Sequence, residues 1–338
     1  MKNILFLKIS LIFLIVLFFS KCKKDTIPIV VSMQDCDVCN NFKTVADSVI
    51  VGFIINSENN REYEPYFNPN NVNEFVYVSV NNNNFYSLAK HNLKTGKDSI
   101  ILNNIAVIEP KWGKNGLITF HSFAWDIFTI TENGNAITQL TNTQNNLFSG
   151  FTTDNNVFYY HREYSLTNGL KIRNLQGVLI DSLNFEDPLH SGISRTIDVN
   201  NKNEAVASFG ESTTGDIIIK VFNLTTKKIT EIFREKNIMN SNSEILGIAW
   251  HPNNEDIFFS RFRKGLFKIN INSGVITKIR NGCDSRTFNS LSISADGKRI
   301  LVGRTDVDDF DKNTGIYTLR DHIYIMDIDG KNEQLLKL

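Results

Sequence analysis

Six copies of one two-part plan run through this chain, and self-similarity at a fixed period constrains a fold more tightly than composition does. The first part is a short strand, a turn and an alternating apolar strand, seen where Glu64-Pro65-Tyr66-Phe67-Asn68-Pro69-Asn70 leads into residues 75–80. Counterparts begin at Glu109, Ser149, Arg195, Gly247 and Ser290. Their turns use Asn-Gly, Asp-Gly and Asn-Asn pairs, which suit tight hairpins that need positive φ. The second part is a strand, a polar turn and a closing strand. It covers residues 85–102 around Thr95-Gly96, 126–140 around Asn133-Gly134 and 169–183 around Gln176-Gly177. It returns at 217–233 around Thr225-Thr226, 265–279 around Ser273-Gly274 and 322–336 around Asp329-Gly330.

From Gly96 to Gly330 the repeat recurs at about 47 residues, the spacing of four-stranded propeller blades. No long segment after the first twenty-odd residues sustains helical periodicity, so α/β folds are excluded. One blade cannot bury both faces alone, so neighbours must stack radially and the ring must close. The expectation is an all-β, six-bladed β-propeller with four antiparallel strands per blade, spanning residues 47–338. Residues 47–56 (DSVIVGFIIN) read as one more strand, placed to join the last blade and cover its edge.

The N-terminus differs in kind. Met1-Lys2-Asn3 is a short basic start, residues 4–19 are apolar apart from Lys8 and Ser10, and Ser20-Lys21-Cys22 closes the segment. That is a secretory signal layout. A transmembrane anchor is the alternative, against which stands an apolar stretch after Lys8 shorter than the ~18 residues of a spanning helix. Residues 1–21 are thus read as a signal peptide and 22–46 as a tether. Within the tether, Cys36-Asp37-Val38-Cys39 has C-x-x-C spacing but lacks a second pair or nearby His to complete a zinc set. A structural disulfide is expected, either Cys36 to Cys39 or one of them to Cys283. The chain's 36 basic and 36 acidic residues cancel, which leaves no electrostatic footprint for nucleic acid.

Two family resemblances add to this reading. Leu17-Phe18-Phe19-Ser20-Lys21-Cys22-Lys23-Lys24-Asp25 resembles the lipoprotein signal of Bacteroidetes-type bacteria, with Lys21 standing where that signal has a small residue. The resemblance implies a lipid on Cys22 and an outer-membrane location facing the periplasm or the cell surface. The repeats resemble the TolB-like propeller family, whose blades carry W-S-P-D-G and then I-Y-x-M-D-x-D-G patterns. The last blade has Ser294-Ala295-Asp296-Gly297-Lys298 and Ile323-Tyr324-Ile325-Met326-Asp327-Ile328-Asp329-Gly330, and the fifth has Ala249-Trp250-His251-Pro252-Asn253. Blades three and four depart from the pattern, with Thr153-Asp154-Asn155-Asn156 and Val199-Asn200-Asn201-Lys202. This likeness covers residues 60–338 and speaks to fold, since one fold hosts many activities.

Topology points to a face. Each inner strand starts where the second strand ends, so Glu64, Glu109 and Arg195 should share one mouth of the central channel with His121, His161, Arg261 and Arg304. A polar binding mouth is one reading; ordinary solvated strand ends are the other. Only two His align, short of the three that would suggest a metal. Asp309, Asp311 and Asn313 alternate like calcium ligands, but Thr314 and Arg320 stand where such a loop has Gly and Glu. The chain has no G-x-S-x-G elbow, H-E-x-x-H or P-loop. The expectation is a cofactor-free, metal-free binding scaffold at the cell envelope for a protein or glycan partner, a role the TolB-like resemblance implies. The alternative is a metal-dependent polysaccharide lyase or hydrolase, because some TolB-like propellers resemble oligogalacturonate lyases with several His at a metal.

Overall fold

The computed structural model describes residues 54–56, 61–81, 83–162, 167–186, 193–210, 215–236, 245–283, 285–311 and 316–338. Every regular element among them is a strand. After β1 (Ile54–Asn56), blade one comprises β2 (Arg61–Asn68), β3 (Asn71–Val80), β4 (Tyr86–Asn92) and β5 (Lys97–Asn103). Blade two comprises β6 (Ile108–Trp112), β7 (Leu117–His121), β8 (Ile127–Thr131) and β9 (Thr138–Gln139). Blade three has β10 (Asn146–Phe151), β11 (Val157–His161), β12 (Thr167–Arg173) and β13 (Leu179–Glu186); blade four has β14 (Ile193–Val199), β15 (Glu204–Gly210), β16 (Ile217–Asn223) and β17 (Ile229–Glu235). Blade five holds β18 (Ile245–Trp250), β19 (Asp256–Arg261), β20 (Gly265–Asn270) and β21 (Ile276–Asn281). Blade six holds β22 (Arg286–Ile293), β23 (Arg299–Asp311), β24 (Ile316–Asp327) and β25 (Gln334–Leu335). Each blade is an antiparallel meander in sequence order, so the six-bladed, four-stranded propeller expected from the repeats is the fold.

The turns work as their chemistry requires. In the outer hairpins Gly96, Gly134, Gly177, Gly274 and Gly330 sit at positive φ, and in blade four Lys227 takes that position at 61°. Asn155, Asn203 and Asn254 fill the corresponding left-handed position of the inner hairpins at 60°, 57° and 58°, as the side chain best tolerated there after Gly.

Second strands are buried on both faces, and the pleat divides their side chains between two interfaces. On β11, Val157 and Tyr159 pack toward blade two with Ile127 and Leu140. Phe158 and Tyr160 pack toward blade four with Ile197 and Phe222. The other interfaces repeat this: Val78 with Phe120 between blades one and two, Ile219 with Phe259 between four and five, Phe258 with Val302 between five and six. Phe75 and Tyr77 against Leu301 and Ile323 close the ring between blades one and six.

β1 pairs in parallel with β24, Ile54 opposite Tyr317 and Asn56 opposite Leu319, while β25 pairs antiparallel with the other end of β24. The last blade's outer edge is therefore shared by both ends of the propeller, as the extra strand read in residues 47–56 predicts; residues 47–53 lie outside the described residues. Cys283, between blades five and six, is disulfide-bonded. Its partner lies outside the described residues, as do Cys22, the signal peptide, the C-x-x-C segment, and the side chains of Asp309, Asp311 and Asn313.

Candidate functional site at the channel mouth

All six innermost strands carry a register irregularity at matching places: Tyr63/Tyr66, Ile108/Lys111, Leu147/Gly150, Ile193/Ile197, Ile245/Gly247 and Phe288/Ser290. A bulge re-aims side chains and exposes backbone groups. Glu64, Glu109 and Phe148 adopt φ of 54°, 49° and 51° there, an uncommon conformation for residues with a Cβ. Neighbouring bulges are tied together, since the Glu109 N–H donates to Glu64 Oε2 at 2.7 Å.

The bulges of blades one, two, four, five and six frame a cavity of about 350 Å³. Arg61, Glu64, Glu109, Asn289, Thr305 and Asp321 form its polar wall, and Tyr63, Pro65, Leu246 and Leu291 its apolar one. Asn289 Nδ2 donates to the Thr305 hydroxyl, which donates to Asp321 Oδ1. Arg61 Nη2 donates to Asn84 Oδ1 at 3.1 Å.

Further along the inner strands a second cavity, of about 130 Å³, opens on the opposite side. Lys111 lines both. At this level a polar bar crosses the channel from blade one to blade four: the Tyr66 hydroxyl donates to Asp198 Oδ1 at 3.1 Å. Trp250 N–H donates to Asp198 Oδ2 at 2.8 Å, and the Lys111 ammonium lies 4.5 Å from the centroid of the Tyr66 ring. Burial pushes the Asp198 carboxyl above its ordinary range despite the nearby Lys111, and burial plus the Asp198 carboxylate pushes the Tyr66 phenol well above its own.

Of the residues singled out in the sequence, Glu64 and Glu109 meet in the upper cavity. Arg195 falls on the first half of β14, where its backbone alone is described. The second-strand ends stand elsewhere than the cavity wall. His121 is buried edge-on to Phe148, ring centroids 5.8 Å apart, with no hydrogen-bond partner for Nδ1 among the described residues. Burial lowers its pKa to about 4, so the ring is neutral. His161 Nδ1 lies 2.8 Å from Asn146 Oδ1. Arg261 pairs with Glu235 of blade four. Arg304 donates to Asp306 at 2.8 Å and pairs with Glu333 at 3.0 Å, beside Arg280 of blade five, with its guanidinium 3.5 Å from the Tyr324 ring centroid. These four side chains brace strands and blades. No group of three or more His, Cys, Asp or Glu among the described residues is placed to hold a metal.

No family model matches the chain, and no curated protein matches it in sequence. Solved structures do match in shape. The β-propeller domain of the Trilobed protease from Pyrococcus furiosus aligns with a TM-score of 0.52 at 11% identity, over 83% of this chain and 99% of that one. The fold is theirs in common. An acylaminoacyl peptidase from Pyrococcus horikoshii aligns with a TM-score of 0.51 at 10% identity, over 82% of this chain but only 52% of the peptidase, so this chain spans about half of it. TolB from Acinetobacter baumannii aligns with a TM-score of 0.44 at 12% identity, over 75% of this chain and 76% of TolB. Identities this low carry fold alone.

Proposed function

We propose that this propeller is a binding scaffold of the cell envelope, anchored at the outer membrane by lipid on Cys22, that recognises a protein or glycan partner through its channel mouth. The observation that carries this reading is the upper cavity: polar side chains converge on it from blades one, two, four and six, and Lys111 at its base leads to the bar beneath, so that it is cup-like. Its size falls at the lower end of the ~300–1,000 Å³ typical of small-molecule sites. Mutually bonded side chains on rigid strands make a preorganised recognition surface, which limits the ordering cost of binding. The reading at Cys22 rests on the apolar segment before it, with acyl chains contributing ~0.8 kcal/mol per buried methylene.

The test uses the full-length chain. Cys22→Ser should move the protein out of the membrane fraction, and envelope extract should raise the thermal midpoint of the detergent-solubilised protein without consuming its ligand. A near-stoichiometric transition metal lost on replacing His121 and His161, or shortened polysaccharide products, would replace this reading with that of a metal-dependent lyase or hydrolase.

A further inference from the structure

An aromatic path leads out of the cup. Tyr63 lines the cavity and packs edge-on against Tyr86, ring centroids 6.4 Å apart. Tyr86 in turn packs edge-on against Phe123 at 4.9 Å, and Phe123 is 55% exposed. The β3–β4 connection just before Tyr86 and the β7–β8 connection that carries Phe123 also expose Phe85 and Trp125, at 50% and 40%. Both connections follow second strands and so rise on the face of the mouth. Large exposed aromatics gathered on one rim of a polar cavity are a recognition surface, because scattered placement would leave them apart.

The wall chemistry narrows the ligand. Each ionised side chain on it is already engaged: Glu64 by the Glu109 amide, Asp321 by Thr305, Arg61 by Asn84, Lys111 by the Tyr66 ring, and Glu109 within the protein. The carboxylates of Glu64, Glu109 and Asp321 share this wall with the cations of Arg61 and Lys111, so a ligand of either charge would meet like charge as well as opposite. A ligand of many hydroxyls, which both donate and accept, can exchange hydrogen bonds with carboxylate, amide and hydroxyl groups without setting a like charge against any of them. Such a ligand also has apolar C–H faces to lay on Tyr63, Tyr86 and Phe123. Resting on the scaffold reading above, we infer that the mouth binds an uncharged oligosaccharide, one end seated in the cup and the following residues on the aromatic path.

The experiment titrates the detergent-solubilised full chain with short β-glucan, mannan, xylan and galactan fragments, alongside oligogalacturonate and a lysine-containing peptide. At least one uncharged fragment should bind saturably. Phe123→Ala, at an exposed site that leaves the fold intact, should weaken it at least about fivefold, and Asn289→Ala should weaken it as well. Val275→Ser, at an equally exposed apolar residue of an outer hairpin, should leave it unchanged. Binding only of oligogalacturonate or peptide, no binding of any uncharged fragment, or binding indifferent to Phe123→Ala would overturn the inference. In each of those cases stabilisation by envelope extract would still uphold the scaffold; loss of that stabilisation too would remove both.

Discussion

A histidine sealed from water with an unpartnered ring nitrogen holds its proton less tightly than in the unfolded chain. His121 has its pKa lowered from 6.5 to about 4 by burial. A base depressed in the fold contributes stability that is complete above pH 6.5 and lost as pH falls toward 4, because the unfolded state takes up the proton first. The loss over that window is roughly 3 kcal/mol. His121→Leu should therefore flatten the acid side of the stability profile in urea titrations, with little change at neutral pH; an unchanged acid slope would show that other groups govern it. At this scale the sequence was half legible. Glu64 and Glu109 could be placed at the mouth because the repeat fixes their register and their strands begin there. Tyr66, Lys111 and Asp198 could not be grouped, because they come from blades one, two and four and meet only across the closed ring. The side chains of His121, Arg261 and Arg304 end up between strands and blades because they stand on second strands, which neighbours cover on both faces, and that covering is set by the ring rather than by the local sequence.

Elements in this molecule meet at close quarters along the inner ring. A Cβ on Gly247 would lie 2.9 Å from Ser290 Cα and 3.0 Å from Leu291 N, both backbone atoms of the next blade. Gly247→Ala should accordingly destabilise the protein by about 1–3 kcal/mol, the usual cost of overpacking. The measurement is the denaturant midpoint, and an unshifted midpoint would mean the two inner strands separate freely. The sequence alignment placed Gly247 first in its repeat beside Glu64 and Glu109, so its position was legible. Its reason was not, since the need for a missing Cβ arises from the neighbouring blade. Hairpins were the most legible elements, because Asn and Gly at left-handed φ are local requirements.

Over the whole molecule, the core between blades one and six closes the ring, β1 and β25 lie against β24 beside it, and a disulfide holds Cys283 between blades five and six. Ile55→Pro removes a ladder donor in β1 or forces its backbone out of register, and Cys283→Ser removes a bridge of a kind that typically contributes ~2–5 kcal/mol. Both should lower the thermal midpoint, and hydrogen exchange should report the loss of protection first in β24 and β25. Uniform loss across all blades would mean that the latch is not the weak point. Six repeats announced the ring, yet they gave no hint that its two halves are joined through the middle. The Tyr66–Asp198 bond runs between blades one and four, which face each other across the axis. A plain hoop can ovalise under load; one with a transverse tie is a braced frame, whose bore keeps its width. Cutting that tie would leave the wheel whole but let it breathe.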